Sequence, residues 1–127
     1  MEKNRILLQP SEWLIMEELW RKQPQTIMQL YHCLKTDPGW SKSTVITMLG
    51  RMVNKKIIYY EEGAKARQYY PQVERDEAAV AETNHLLQRV YRGSVGMLVD
   101  TMIRNRQISR EEFIKLLVIL DNAGKTY

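Results

Sequence analysis

The sequence predicts a mostly α (α+β) chain: three short helices and a β-hairpin over residues 1–73, then a helical region over residues 74–127. Three observations carry this. Apolar residues recur at helical spacing up to about residue 54, broken at Pro24 and at Asp37, Pro38 and Gly39. β-Branched and aromatic residues then take over at Ile57, Ile58, Tyr59 and Tyr60, and helical spacing returns from Glu74 onward. With 127 residues, 44% hydrophobic and 27% charged, the composition is that of a globular protein of one domain plus a small extension.

The first helix spans residues 11–22. Trp13, Leu14, Met16, Leu19 and Trp20 form its apolar side, and Glu12, Glu17, Glu18 and Arg21 the opposite one. Pro24 stops it. Thr26 with Gln29 three residues on makes a capping box for a second helix that carries Ile27, Leu30, Tyr31 and Leu34. Ser41 is the N-cap of a third helix reaching about Asn54. The hairpin pairs residues 57–60 with Gln68, Tyr69 and Tyr70 around a turn at Gly63. Three helices followed by a hairpin is the order of a winged helix-turn-helix domain.

Charge is distributed unevenly over this plan. The net charge is +4, and residues 1–75 hold the whole surplus, with twelve basic and eight acidic side chains. Residues 41–67 alone contribute Lys42, Arg51, Lys55, Lys56, Lys65 and Arg67 against Glu61 and Glu62. Such a patch attracts a polyanion, because neutralised phosphates release condensed counterions. On a helical wheel Val45, Ile46, Leu49, Met52 and Val53 turn to the core, and Ser43, Thr44, Thr47, Arg51 and Asn54 turn out. Arg51 has the fork for guanine O6 and N7, and Thr44 and Thr47 offer a hydroxyl and a methyl to base edges. Ser41 and Ser43 reach phosphate, Lys55 and Lys56 leave the helix toward phosphates, Lys42 joins the DNA-binding set, and Lys65 and Arg67 place a basic wing on the backbone or minor groove. The predicted partner is double-stranded DNA. Gly50 inside this helix costs about 1 kcal/mol relative to Ala and calls for a close approach to another helix or to DNA.

From Ala78 to Val90 the chain is helical, pausing at Tyr91, Arg92 and Gly93. A further helix covers residues 94–105, and Ser109 with Glu112 opens a last one that is apolar almost all round. About fifty residues cannot bury such helices in a core of their own. A dimer interface is therefore expected, built from Leu87, Val90, Tyr91, Leu98, Met102, Phe113, Leu116, Leu117 and Leu120, the alternative being that these helices pack back onto the winged domain. A dimer presents two recognition helices and implies a palindromic operator.

Other functions fit less well. A single cysteine, Cys33, makes no internal disulfide, and with the lone His85 gives no metal cluster, so no cofactor or metal is expected. Cys33 and His32 are adjacent and point about 100° apart on a helix, which is no catalytic pair, and the chain is read as no enzyme. Trp13, Trp20 and Trp40 read as core packing. Residues 1–10 lack the apolar run of a secretion leader, and no stretch is long enough to span a bilayer, so a cytoplasmic location is expected. The competing reading is a winged helix used for protein contact, which the polar, basic outer face of the third helix disfavours.

The opening Glu12-Trp13 with Met16 and Trp20, the run from Trp40-Ser41 through Thr44-Val45, Thr47, Leu49 and Arg51-Met52, and Tyr69-Tyr70-Pro71 together resemble the penicillinase-repressor (BlaI/MecI) family. The resemblance covers essentially the whole chain. It implies a cytoplasmic homodimeric bacterial repressor of a palindromic operator, controlling resistance-type genes (β-lactamase or penicillin-binding protein) and its own gene. It also implies release through a sensor or protease pathway, with cleavage in the dimerisation region between Asn and Phe. Thr101 and Met102 stand at those positions here. A copper-responsive branch of the family carries paired cysteines near its C-terminus, and this chain ends without any.

Overall fold

The computed structural model describes residues 6–127, so the charged opening as far as Arg5 lies outside the described residues. The elements run α1 (Pro10–Arg21), α2 (Ile27–Leu34), α3 (Lys42–Asn54), β1 (Ile58–Glu62), β2 (Arg67–Pro71), α4 (Arg75–Tyr91), α5 (Val95–Arg104) and α6 (Arg110–Gly124). This is the α+β winged-helix order. Two compact units result, one ending at Thr83 and the other covering Asn84–Tyr127.

In the first unit, Ile15, Met16 and Leu19 of α1, Leu30 and Leu34 of α2, and Val45, Leu49 and Met52 of α3 close one core with Ile57, Ile58, Tyr69 and Val73. Trp13, Trp20 and Trp40 pack against its edge, and the Trp20 indole donates to the Val73 carbonyl at 2.9 Å. Ala78 joins the same core from α4. Two wheel assignments need correction. Glu12 lies on the stripe Glu12, Ile15, Met16, Leu19, whose spacing of three and four residues points inward, and it is buried at 3% exposure. Leu14, expected inside, is exposed in its place. In α3 the inward stripe is Val45, Met48, Leu49, Met52, which leaves Ile46 out in solvent.

The hairpin pairs Ile58 with Pro71, Tyr59 with Tyr70, Tyr60 with Tyr69 and Glu62 with Arg67. Cross-strand partners share a face, so the Tyr59 and Tyr70 rings stack with centroids 5.1 Å apart. A side chain at Gly63 would place Cβ 2.4 Å from the Ala66 carbonyl, so this turn needs glycine. Gln25, between α1 and α2, exchanges backbone hydrogen bonds with Tyr69 at 3.1 and 2.8 Å and so adds a one-residue third strand to the sheet. Its buried amide is satisfied by the Glu18 and Lys22 carbonyls.

In the second unit, Ser94 Oγ accepts from Met97 N and Ser109 Oγ from Glu112 N, the caps that start α5 and α6. The α5 helix ends with Gln107 N donating to Met102 O and Arg106 N to Ile103 O, the doubly bonded stop that needs a left-handed residue, here Arg106 at φ 55°. Among the described residues, α5 and α6 contain no buried side chain. None of the helices described is long and apolar enough to cross a membrane.

Candidate nucleic-acid interface

The α3 helix begins where Ser41 Oγ accepts from Thr44 N at 3.1 Å. The same hydroxyl lies 3.0 Å from Ser43 Oγ and from Thr44 Oγ1, so three hydroxyls cluster at the helix start. The first-turn N–H groups and the helix dipole there favour an anion such as a phosphate oxygen. The end of α3 is a sharp stop. Ile57 N donates to Met52 O and Lys56 N to Val53 O, with Lys56 itself in the left-handed region at φ 63°.

Between these ends the helix presents Ser43, Thr44, Thr47 and Arg51 together around one shallow depression of about 240 Å³. All four are exposed. A second cleft, of about 210 Å³, brings Lys42 of α3 beside Arg67 of the wing, Thr26 at the N-cap of α2, and Ile27 and Met28 of α2. Lys42, Arg51, Lys56 and Lys65 form no ion pair among the described residues, so their charges face solvent uncompensated.

Two of the expected cations have partners within the chain. Lys55, read from the sequence as a phosphate contact, turns back across α1: its ammonium lies 2.7 and 2.9 Å from the two oxygens of Glu12. One of those oxygens, Oε1, also accepts the Gln9 N–H, at 2.7 Å. The physical reason is the burial of Glu12, whose carboxylate requires a counter-charge. Arg67 is bound to Glu62 at 3.1 Å and lies over the Tyr60 ring, 4.1 Å from its centroid. The wing therefore presents Lys65 as its unpaired cation among the described residues. The sequence sends both Lys55 and Lys56 toward phosphates, and of the two Lys56 has no ion-pair partner among the described residues. The left-handed backbone at Lys56 is invisible in residue spacing. Glu12 is a residue that sequence reasoning misses, and its place on the Ile15, Met16, Leu19 stripe is the signal that could have found it.

The residues expected at a dimer interface lie on α4, α5 and α6. Val90, Met102, Phe113, Leu117 and Leu120 are exposed, and Leu87, Tyr91, Leu98 and Leu116 half-buried. Met102 and Leu116 line a cleft of about 290 Å³ between α5 and α6 with Val99, Gln107, Ile108 and Glu112. Thr101 and Met102 sit inside α5, where Thr101 Oγ1 donates to Met97 O and Thr101 O accepts from Asn105 Nδ2. A protease cutting there would first have to unwind the last turns of that helix. Cys33 is half-buried, and burial pushes its thiol up, away from the thiolate a nucleophile needs. Among the described residues no group of three or more His, Cys, Asp or Glu side chains is placed to hold a metal ion.

A profile of the penicillinase-repressor family matches residues 8–122 of this chain. The methicillin resistance regulatory protein MecI of Staphylococcus aureus (strain N315) is 24% identical over 121 residues, which are 95% of this chain and 98% of that protein. The penicillinase repressor of Bacillus licheniformis is 24% identical over 111 residues, 87% of each chain. Among solved structures, Staphylococcus aureus MarR in complex with salicylate and kanamycin is similar with a TM-score of 0.53 at 13% identity, covering 94% of this chain and 73% of that one. At that identity the likeness is one of fold.

Proposed function

Because the chain belongs to the penicillinase-repressor family, whose members are transcriptional regulators and not enzymes, we propose that it represses as a homodimer bound to a palindromic operator duplex. The observation that carries the reading is the outward face of α3. It joins hydroxyl donors and acceptors at Ser43, Thr44 and Thr47 with the fork of Arg51, flanked by Lys42 and Lys56 without ion-pair partners among the described residues. In the major groove Arg51 reads guanine, Thr44 and Thr47 meet base edges, and Ser41, Ser43, Lys42, Lys56 and Lys65 hold the backbone. Lys55 acts within the chain, by fixing the end of α3 against the buried Glu12 of α1.

The dimer half of the proposal rests on the second unit. A 44-residue unit with no buried side chain in α5 or α6 cannot be stable alone in water, and a second copy supplies the missing cover. Two copies place two recognition helices on one face of the duplex, so the operator half-sites are related by a two-fold axis. The regulated genes in this proposal are the chain's own and neighbouring resistance-type genes, with release triggered by a sensor or protease pathway acting on the second unit.

Fluorescence anisotropy tests the DNA reading, using the duplex upstream of the chain's own gene and a scrambled duplex at two salt concentrations. Tight, salt-sensitive binding selective for the first duplex is the expected result. Absence of binding to either duplex would favour the protein-contact use of the same fold.

A further inference from the structure

The exposed arc of α3 has two unlike flanks. At 100° per residue it spans about 200°, running from Thr44 and Arg51 through Thr47, Asn54 and Ser43 to Gly50 and Ile46, with Lys42 of the first turn at its far edge. One flank carries hydroxyls and a guanidinium. The other carries a branched aliphatic side chain, 47% exposed, next to a glycine one turn on. A Cβ added at Gly50 would meet nothing within 4 Å, so no packing within the chain explains glycine, the least favourable ordinary helix residue, at this position. Nor does the core explain Ile46, since Val45, Met48 and Leu49 fill the inward stripe.

We propose that Ile46 and Gly50 form an apolar notch that receives the 5-methyl group of thymine in each operator half-site. The inference rests on the reading of α3 as the recognition helix. The thymine methyl is the one apolar group on the major-groove edge of B-DNA, and it lies beside the O4 acceptor, so a helix that hydrogen-bonds bases on one flank meets it on the other. Ile46 supplies the apolar contact. Gly50 removes the side chain that would otherwise stand between the helix backbone and that methyl group.

The test begins with selection of a preferred duplex from a random-sequence pool by the full-length protein. Each thymine of the selected half-site is then replaced by deoxyuridine, and binding is measured by anisotropy for wild type, Ile46→Ala and Gly50→Ala. Both substitutions are at exposed sites, and Gly50→Ala should raise the melting temperature. At one thymine the loss of the methyl should weaken wild type about fourfold per half-site, the transfer value of one buried methyl group, and leave Ile46→Ala unaffected. Gly50→Ala should bind the selected duplex about tenfold more weakly while binding scrambled DNA as wild type does. Insensitivity of wild type to every thymine methyl overturns the inference, as does a methyl effect that survives in Ile46→Ala, or full affinity in Gly50→Ala. A selection that enriches no sequence refutes the repressor reading itself, whereas enrichment with an indifferent Ile46 refutes the notch alone.

Discussion

Replacing either partner of the Glu12–Lys55 pair should produce unequal losses, because water reaches the two ends unequally. The Glu12 side chain is 5% exposed and that of Lys55 is 42% exposed. Lys55→Met strands a carboxylate whose remaining hydrogen bond is from Gln9 N. Breaking a buried pair this way costs about 3–5 kcal/mol in a dry interior. Here the pair borders an open cleft of about 430 Å³ with Gln9, Ser11, Met48, Arg51 and Asn54, so about 2–3 kcal/mol is expected. Glu12→Gln keeps an acceptor for Gln9 and frees an ammonium already half in water, so it loses one charge-assisted bond, about 1.5 kcal/mol. The double variant should cost about 1–2 kcal/mol less than the sum of the two. Urea melts followed by tryptophan fluorescence measure this, and Trp13, Trp20 and Trp40 all lie in the first unit, so the signal is specific to it. The same variants discriminate the two roles of Lys55 on DNA. A structural lysine leaves the slope of log K against log salt unchanged, whereas a phosphate contact lowers it by about 1. Unchanged stability with a flatter salt slope in Lys55→Met would return Lys55 to the DNA surface and refute this argument.

Further predictions follow from the interface and the surface pairs. Arg51→Ala should cost about 1–3 kcal/mol on the selected duplex and relax one base position per half-site in a mismatch scan, while Lys65→Ala should weaken every duplex alike; equal loss on all sequences from Arg51→Ala would remove it from base readout. Leu117→Asp, at a site 51% exposed in the single chain, should convert dimer to monomer in sedimentation velocity and weaken operator binding; an intact dimer would place the interface elsewhere. Glu17 is held below the usual carboxylate range by its hydrogen bonds from Arg75 at 2.9 and 3.0 Å, outweighing burial. Its stabilising share is therefore fully present above that range and lost as the pH falls through and below it, and Glu17→Gln should flatten acid melts only there. Both partners are about half exposed, so 1 M salt should erase most of the difference.

Turn chemistry and hydrophobic period made most of the elements legible. Thr26 with Gln29 closes both halves of its capping box, Ser41 accepts from Thr44 N, and at Ser109 and Glu112 the Ser109 half forms while the Glu112 carboxylate turns to Lys115. The outward polar set of α3 was legible for the same reason, since hydroxyl and guanidinium groups have no partners in an apolar core. Charge alone misjudges direction. Glu12 follows its helix stripe inward because a lysine 43 residues away can follow it, and separation of that kind leaves no trace in a local window. Ile46 is the converse, an apolar residue that falls off the inward stripe of Val45, Met48, Leu49 and Met52 and so faces solvent. The single bridge from Gln25 to Tyr69 is equally non-local, and no strand-length run of residues announces it.

These two kinds of legibility bear on regulation. The first unit is closed by its own core and satisfies its buried polar groups, so its recognition helix is formed whether or not a second copy is present. The second unit has cover for its apolar helices only in the proposed dimer, so its folding and its pairing are one equilibrium, dependent on protomer concentration. In that proposal operator affinity would inherit the same dependence. On the proposed reading one copy would bind one half-site with the affinity of a single α3 helix, and two copies would gain the effective concentration that pairing supplies, a factor of about 10²–10⁴. An inducing event of the proposed kind would therefore not need to touch any residue of the proposed DNA face. Unwinding the end of α5 at Thr101 and Met102 would separate the copies and release the operator with both recognition helices still folded. Half-site binding by Leu117→Asp, at the affinity of one α3, is the state that such an event should leave behind.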